Sequence, residues 1–293
     1  MKQAYISRKF TPAVLDLIEV MNGVVQEYQK QGFVLTARQL YYQMVARGYS
    51  PNTVQDYKRI ASTINDAKLA GLIDWDALED RTREFVRRTR WGSGAEIMRG
   101  AAEGFHMDMW VGQPHRVFVI VEKEALVGVL DRVCREFDVP LLAARGYPSG
   151  SVLREFALSD LLPAMEGEQT PIVLHLGDHD PSGIDMTRDL YDRMELFCNG
   201  QPFDMRRIAL NMEQVREVNP PENPAKTTDS RYAGYIRKFG QSSWELDALS
   251  PTYLDRLVRA QLKGIIDKEP WEEATFRIES TKKRIRELAI GFE

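Results

Sequence analysis

From residue 115 to residue 211 the sequence alternates short, almost purely apolar runs with segments of helical period, and this alternation leaves few folds open. HRVFVIV (115–121) and TPIVLHL (170–176) are continuous apolar runs, as expected of strands buried on both faces. VPLLAAR (139–145) and FDMRRIALN (203–211) complete a set of four. Between them, EALVGVLDRVCREF, SVLREFALSDLLPAM and the stretch from about 182 to 198 carry helical spacing. Strands alternating with helices predict an α/β fold with a doubly wound, mainly parallel sheet over about 114–215. Residues 219–250 read as a Pro-rich, polar insertion and 251–290 as a helical tail.

The first hundred residues have a different texture. Thr11-Pro12 opens a helix over 11–31, since Thr caps and Pro suits the first helical position. Thr36 caps a second helix, ARQLYYQMVAR, which Gly48 stops. Ser50-Pro51 starts a third, running to about Ala70. The short turn and the basic third helix (Lys58, Arg59, Lys68) make a helix-turn-helix pattern, and LIDWDALEDRTREFV supplies a small β-wing. The expectation is a winged-helix, CAP-like module at 1–88, a Gly-rich linker at 89–113 and an α/β domain at 114–293.

Charge follows the same division. The net value is −4, but residues 1–101 hold 15 basic and 11 acidic side chains while 102–293 hold 24 and 32. A basic front half is a prior for polyanion binding, with Lys58, Arg59, Arg87 and Arg88 as candidate DNA contacts. On charge alone, an ordinary solvated surface is about as good a reading. Cys134 and Cys198 are too few for a disulfide framework, and the chain has neither an apolar leader nor a run of about 20 apolar residues. A cytoplasmic, nucleoid-associated protein in a reducing compartment, with no membrane partner, is expected.

In open parallel sheets the working site lies outside the carboxyl ends of the strands. Glu122 ends the first strand, and the third runs into GDHDPSG, which supplies Asp178 and Asp180. Two carboxylates at i, i+2 in extended chain project to one side, and three oxygen donors without His or Cys suit Mg²⁺, with Mn²⁺ as a substitute. Helix capping is the structural alternative for Asp180. Gly177 and Gly183 are read as permitting tight turns. Arg145 at the second strand end, and Lys226 and Arg231 in the insertion, are candidate phosphate contacts. Glu245 and Asp247 are either supporting acids or a helix start. On the second helix Arg38 and Tyr42 stand at i, i+4 and share a face. A phenol with an ordinary pKa of about 10 is a poor nucleophile, and a nearby guanidinium favours phenolate and neutralises phosphate.

VIVEKEA with GDHDPSG resembles the Toprim fold of topoisomerases, primases and certain nucleases. Together with Arg38-x-x-Tyr41-Tyr42 ahead of it, the chain resembles the topoisomerase VI A subunit and its meiotic double-strand-break relatives over about residues 30–250. That resemblance implies a winged helix followed by a Toprim Rossmann-like domain. It makes Tyr42 the nucleophile, Arg38 its helper, and Glu122, Asp178 and Asp180 the Mg²⁺ ligands; a swapped role for Tyr41 stays open. It implies cleavage of double-stranded DNA through a 5′-phosphotyrosyl link. A homodimer would pair one protomer's tyrosine with the other's acids, because the two motifs lie in different domains. The extension that docks a separate ATPase B subunit is short or missing, and no Walker A motif occurs, so the chain is most like compact standalone A-like proteins. A Toprim hydrolase that uses water, and a non-enzymatic DNA-binding protein, are the competing readings.

Overall fold

The computed structural model describes residues 1–79 and 90–292. Helix α1 (Pro12–Lys30) starts after Thr11 and buries Ile18, Met21, Val24, Val25 and Tyr28 on one face. The two-residue strand β1 (Leu35–Thr36) leads into α2 (Ala37–Ala46), closed by a reciprocal capping box between Thr36 and Gln39. Helix α3 (Val54–Leu69) begins later than the expected Ser50-Pro51 start, because Thr53, not Ser50, caps it by accepting from the Asp56 amide at 3.1 Å. Strand β2 (Leu78–Glu79) pairs parallel with β1. The expected wing needs an antiparallel hairpin; residues up to 79 do not form one, and 80–89 lie outside the described residues.

The expected linker contains a helix of 11 residues. Helix α4 (Gly94–Gly104) is capped by Ser93, which accepts from the Glu96 amide at 3.1 Å. Then follow β3 (His115–Val121), α5 (Val127–Glu136), β4 (Leu141–Ala143), α6 (Gly150–Phe156), α7 (Leu162–Glu166) and β5 (Thr170–Leu176). The unit continues with α8 (Pro181–Phe197), β6 (Asp204–Ala209) and α9 (Met212–Val218). The sheet runs β4-β3-β5-β6, every pair parallel, with Val121 opposite Leu176 and Val119 opposite Leu141. The chain therefore has a mixed α/β fold around a parallel sheet.

Alternation along each strand divides the core. Val117, Val119, Val121, Leu174 and Leu176 face one apolar cluster, while Phe118, Ile120 and Val173 face another against α6, α7 and α8. Each fully buried Val, Leu or Ile contributes roughly 1.5–3 kcal/mol. The first cluster does not stop at the sheet. It takes in α5 and also Met21, Leu40, Tyr42 and Ile60, so one continuous core joins the N-terminal helices to the sheet face.

The polar insertion is ordered as an antiparallel pair, β7 (Glu222–Pro224) and β8 (Ser242–Trp244), that encloses α10 (Tyr232–Phe239). The tail is α11 (Pro251–Ile265), packed on α5, and α12 (Lys268–Ala289), packed along α4.

Candidate active site

The connections from β3 to β4 and from β4 to β5 leave the sheet in opposite directions, so the switch point lies between the carboxyl ends of β3 and β5. Both ends carry acids. Glu122 follows β3, and its Oε2 accepts from the Asp178 amide at 2.8 Å. Asp178 accepts from the Leu246 amide at 2.8 Å and lies 3.1 Å from Lys123 Nζ. Asp180 caps α8, accepting from the Gly183 amide at 2.6 Å and from Ser182 Oγ at 2.9 Å. The structural alternative for Asp180 is thus realised. Its other oxygen is 4.0 Å from Lys226 Nζ.

The two glycines of the loop act by close approach rather than by turn conformation. Neither has positive φ; a Cβ on Gly183 would lie 2.3 Å from the Asp178 carbonyl oxygen, and one on Gly177 would lie 3.0 Å from Glu122 Oε2. Below the loop the half-buried Arg207 donates to the carbonyls of Gly177 at 2.9 Å, Asp178 at 2.6 Å and Gly183 at 2.9 Å. Burial pulls this guanidinium down to about 10, while Glu122, Asp178 and Asp180 work against that shift.

Crowded carboxylates raise one another. Burial first, and then the Asp180 charge, push Glu122 above its usual value. Burial, Glu122 and Asp247 push Asp178 up to about 7 against the pull of Lys123. Oxygen-only donors that repel one another have the chemistry of a hard-cation site. Yet among the described residues no group of three or more His, Cys, Asp or Glu is arranged to hold a metal ion. The reason is local: both Asp178 oxygens are engaged, by Lys123 and the Leu246 amide, and one Asp180 oxygen is spent on the cap. The donor chemistry fits Mg²⁺, and Asp178 is the most engaged of the three, through Lys123 and the Leu246 amide.

The tyrosine side of the site is built by α2. Arg38 Nη2 lies 3.4 Å from the Tyr42 hydroxyl, with the guanidinium 5.5 Å from the ring centre. Its stronger partners are remote in sequence: Glu245 at 2.5 Å and Asp247 at 2.7 Å. Lys123 contacts the same two carboxylates at 2.7 Å and 3.2 Å. Burial would lower Lys123, but Asp247, Asp178 and Glu245 hold it firmly protonated. Burial raises Glu245, and Lys123, the Tyr42 hydrogen bond and Arg38 together bring it down to about 2.

This clasp changes the reading of Arg38. Burial, then the charges of Asp247 and Glu245 and the hydrogen bond to Glu245, drive the Tyr42 phenol far above its ordinary value, and Arg38 offsets only part. Tyr42 is a neutral phenol here, contrary to simple activation by the arginine. Tyr41 is committed elsewhere: its hydroxyl accepts from the Thr53 amide at 2.8 Å and lies 3.0 Å from the Pro51 and Thr53 carbonyls. Of the pair, Tyr42 is the one whose hydroxyl meets Arg38 and Glu245.

A cavity of 740 Å³ opens between the two sides, lined among others by Arg38, Tyr42, Lys58, Asp178, Asp180 and Lys226. The remaining candidates lie away from it. Arg59 pairs with Asp56 at 2.7 Å, Arg145 with Glu124, and Arg231 with Asp185 and Asp229 at 2.8 Å each. Arg87 and Arg88 fall outside the described residues. No protein-family model, curated protein or solved structure matches this chain.

The insertion brings Glu245 and Asp247 to the site. His179 and Trp244 exchange backbone hydrogen bonds at 2.8 Å and 2.9 Å, tying β8 to the aspartate loop. The His179 ring turns away from the acids, as alternation along GDHD predicts, and packs on Tyr235, Phe239 and Trp244. Within one chain the tyrosine and the aspartates line the same cavity, because α2 packs against residues 246–248.

Proposed function

We propose that the chain cleaves DNA by transesterification through Tyr42, in the manner of a topoisomerase VI A subunit, with a winged-helix front module and a Toprim sheet. The observation that carries this reading is the convergence of Tyr42, Arg38, Asp178 and Asp180 on one cavity at the switch point of a parallel sheet. The Tyr42 oxygen attacks the phosphorus and the bond to the 3′ oxygen breaks, leaving a 5′-phosphotyrosyl link and a 3′ hydroxyl. The phenol gives its proton to solvent as it attacks, and the departing 3′ oxygen takes one up from solvent. Arg38 faces the charge that develops on the phosphate. Glu122, Asp178 and Asp180 would hold Mg²⁺ or Mn²⁺, which supplies charge neutralisation at the phosphate and the leaving oxygen. Lys58 and Lys226 on the cavity rim supply sequence-independent contact to the DNA backbone.

Supercoiled plasmid incubated with Mg²⁺, with and without protease before electrophoresis, tests this. Nicked or linear product that enters the gel only after proteolysis is the expected result, and it is lost in Tyr42→Phe. Cleavage by Tyr42→Phe at the wild-type rate would sink the mechanism. The neutral phenol favours one second reading, a metal-dependent hydrolase in which Tyr42 only packs. That reading gives free ends with no protein attached.

A further inference from the structure

The tyrosine and the acids are held together by a partly buried run of charge that belongs to one chain. Arg38 reaches Glu245 at 2.5 Å and Asp247 at 2.7 Å. Lys123 meets both and continues to Asp178 at 3.1 Å. The Asp247 side chain has 0% exposure, so separating α2 from residues 245–247 would strand a buried carboxylate with one cation fewer. The seam is reinforced outside the charge cluster. Gln39 donates to the Ala125 carbonyl at 3.4 Å, and Asn52 donates to the Glu222 carbonyl at 3.2 Å and to Asn223 Oδ1 at 2.9 Å. Leu40, Tyr42, Trp244, Leu246 and Ala248 belong to one apolar cluster. An arrangement that lent Tyr42 to a second protomer's acids would have to break all of these contacts at once.

We propose that each chain carries a complete cleavage centre in cis, with Glu245 and Asp247 as the positioning residues that hold Arg38 and Tyr42 beside the same chain's Glu122, Asp178 and Asp180. The inference rests on the transesterase reading and departs from the shared centre that the family resemblance implies. One chain then nicks one strand. A dimer cuts a duplex by bringing two finished centres, not by completing them.

Complementation separates the two architectures. Tyr42→Phe keeps the ring, and Asp180→Asn keeps a side chain able to cap α8, so both variants retain the fold; circular dichroism checks this. Differently tagged variants are co-expressed, and the doubly tagged fraction and the unfractionated mixture are assayed for covalent nicking. In the cis architecture both stay as inactive as the single variants. In a shared-centre dimer, random pairing restores about a quarter of the centres in the mixture, and any such recovery overturns the inference. If wild type itself forms no covalent adduct, the transesterase reading falls and takes this inference with it, a result distinct from recovery.

Asp247→Asn supplies a second measurement. Single-turnover adduct formation falls about tenfold or more as the tyrosine loses its fixed position, while duplex affinity stays within about twofold. An unchanged rate, or equal losses in rate and affinity, removes Asp247 from the positioning role.

Discussion

Replacing Lys123 by Met tests whether its ammonium is the counterion of the whole centre. The ammonium lies 2.7 Å from Glu245, 3.2 Å from Asp247 and 3.1 Å from Asp178. Met fills the same volume without charge. Arg38 still covers Glu245 and Asp247, but Asp178 keeps only the Leu246 amide. Breaking a buried pair by removing one partner costs about 3–5 kcal/mol, and the cover from Arg38 sets the expectation at about 3 kcal/mol near pH 8. With a urea m-value of about 3 kcal/mol/M, the midpoint falls by about 1 M.

The pH dependence carries the diagnosis. In wild type Glu245 sits at about 2, below its unfolded value, so its contribution is present above about pH 4.5 and lost as pH falls toward 2. Without Lys123, Glu245 loses its foremost lowering partner and Asp178, already at about 7, rises further, so both take up protons more readily as pH falls. The variant's deficit therefore shrinks between pH 8 and pH 5. Urea titrations of both proteins at the two pH values read this directly. A deficit that is equal at both, or below about 1 kcal/mol at pH 8, would refute the counterion reasoning.

Three further outcomes follow from separate parts of the structure. Gly183→Ala drives a methyl to 2.3 Å from the Asp178 carbonyl oxygen, and it is expected to cost about 1–3 kcal/mol in thermal or urea unfolding; a cost below about 0.5 kcal/mol would contradict the close approach. His175 is buried with its Nδ1 2.8 Å from Thr187, and burial, then Arg207, push it down to about 3. Because the folded value lies below the unfolded one, stability is intact above about pH 6.5 and drops as pH falls, so the deficit of His175→Gln should narrow by up to about 1.4 kcal/mol per pH unit between pH 6 and 4; parallel stability curves would contradict this. Lys58→Ala and Lys226→Ala should each flatten the log–log salt dependence of duplex binding by about 0.9 if the side chain neutralises one phosphate; an unchanged slope assigns the phosphate contacts elsewhere.

The sheet was legible because strands buried on both faces leave an unbroken apolar signature, as in HRVFVIV. Its acids were legible because strand ends are where such sheets work. The cap of α2 was legible too, since Thr36 and Gln39 act over three residues. Helix α4 escaped because its glycines, Gly94, Gly100 and Gly104, dilute the helical period, although Ser93-x-x-Glu96 is a start signal. Glu245 and Asp247 were visible as acids but not as partners of Arg38, because a contact between distant segments leaves no period in either one. Arg207 carried no signal at all; it sits in a strand, and only the folded chain supplies the four carbonyls it binds, three of them in the loop above it.

The contacts from Arg38 to Glu245 and Asp247 span 207 and 209 residues of chain. Closing so long a loop is slow compared with local structure and comes after most other contacts have formed. On the ribosome, α2 emerges well before residue 245 is synthesised, so for most of translation the tyrosine helix lacks the carboxylates that fix its arginine. A nascent chain, or a fragment that ends ahead of the insertion, would carry both Tyr42 and the strand-end acids without the tie between them. On the proposed reading, competence to cut DNA would thus arrive only with a nearly complete polypeptide.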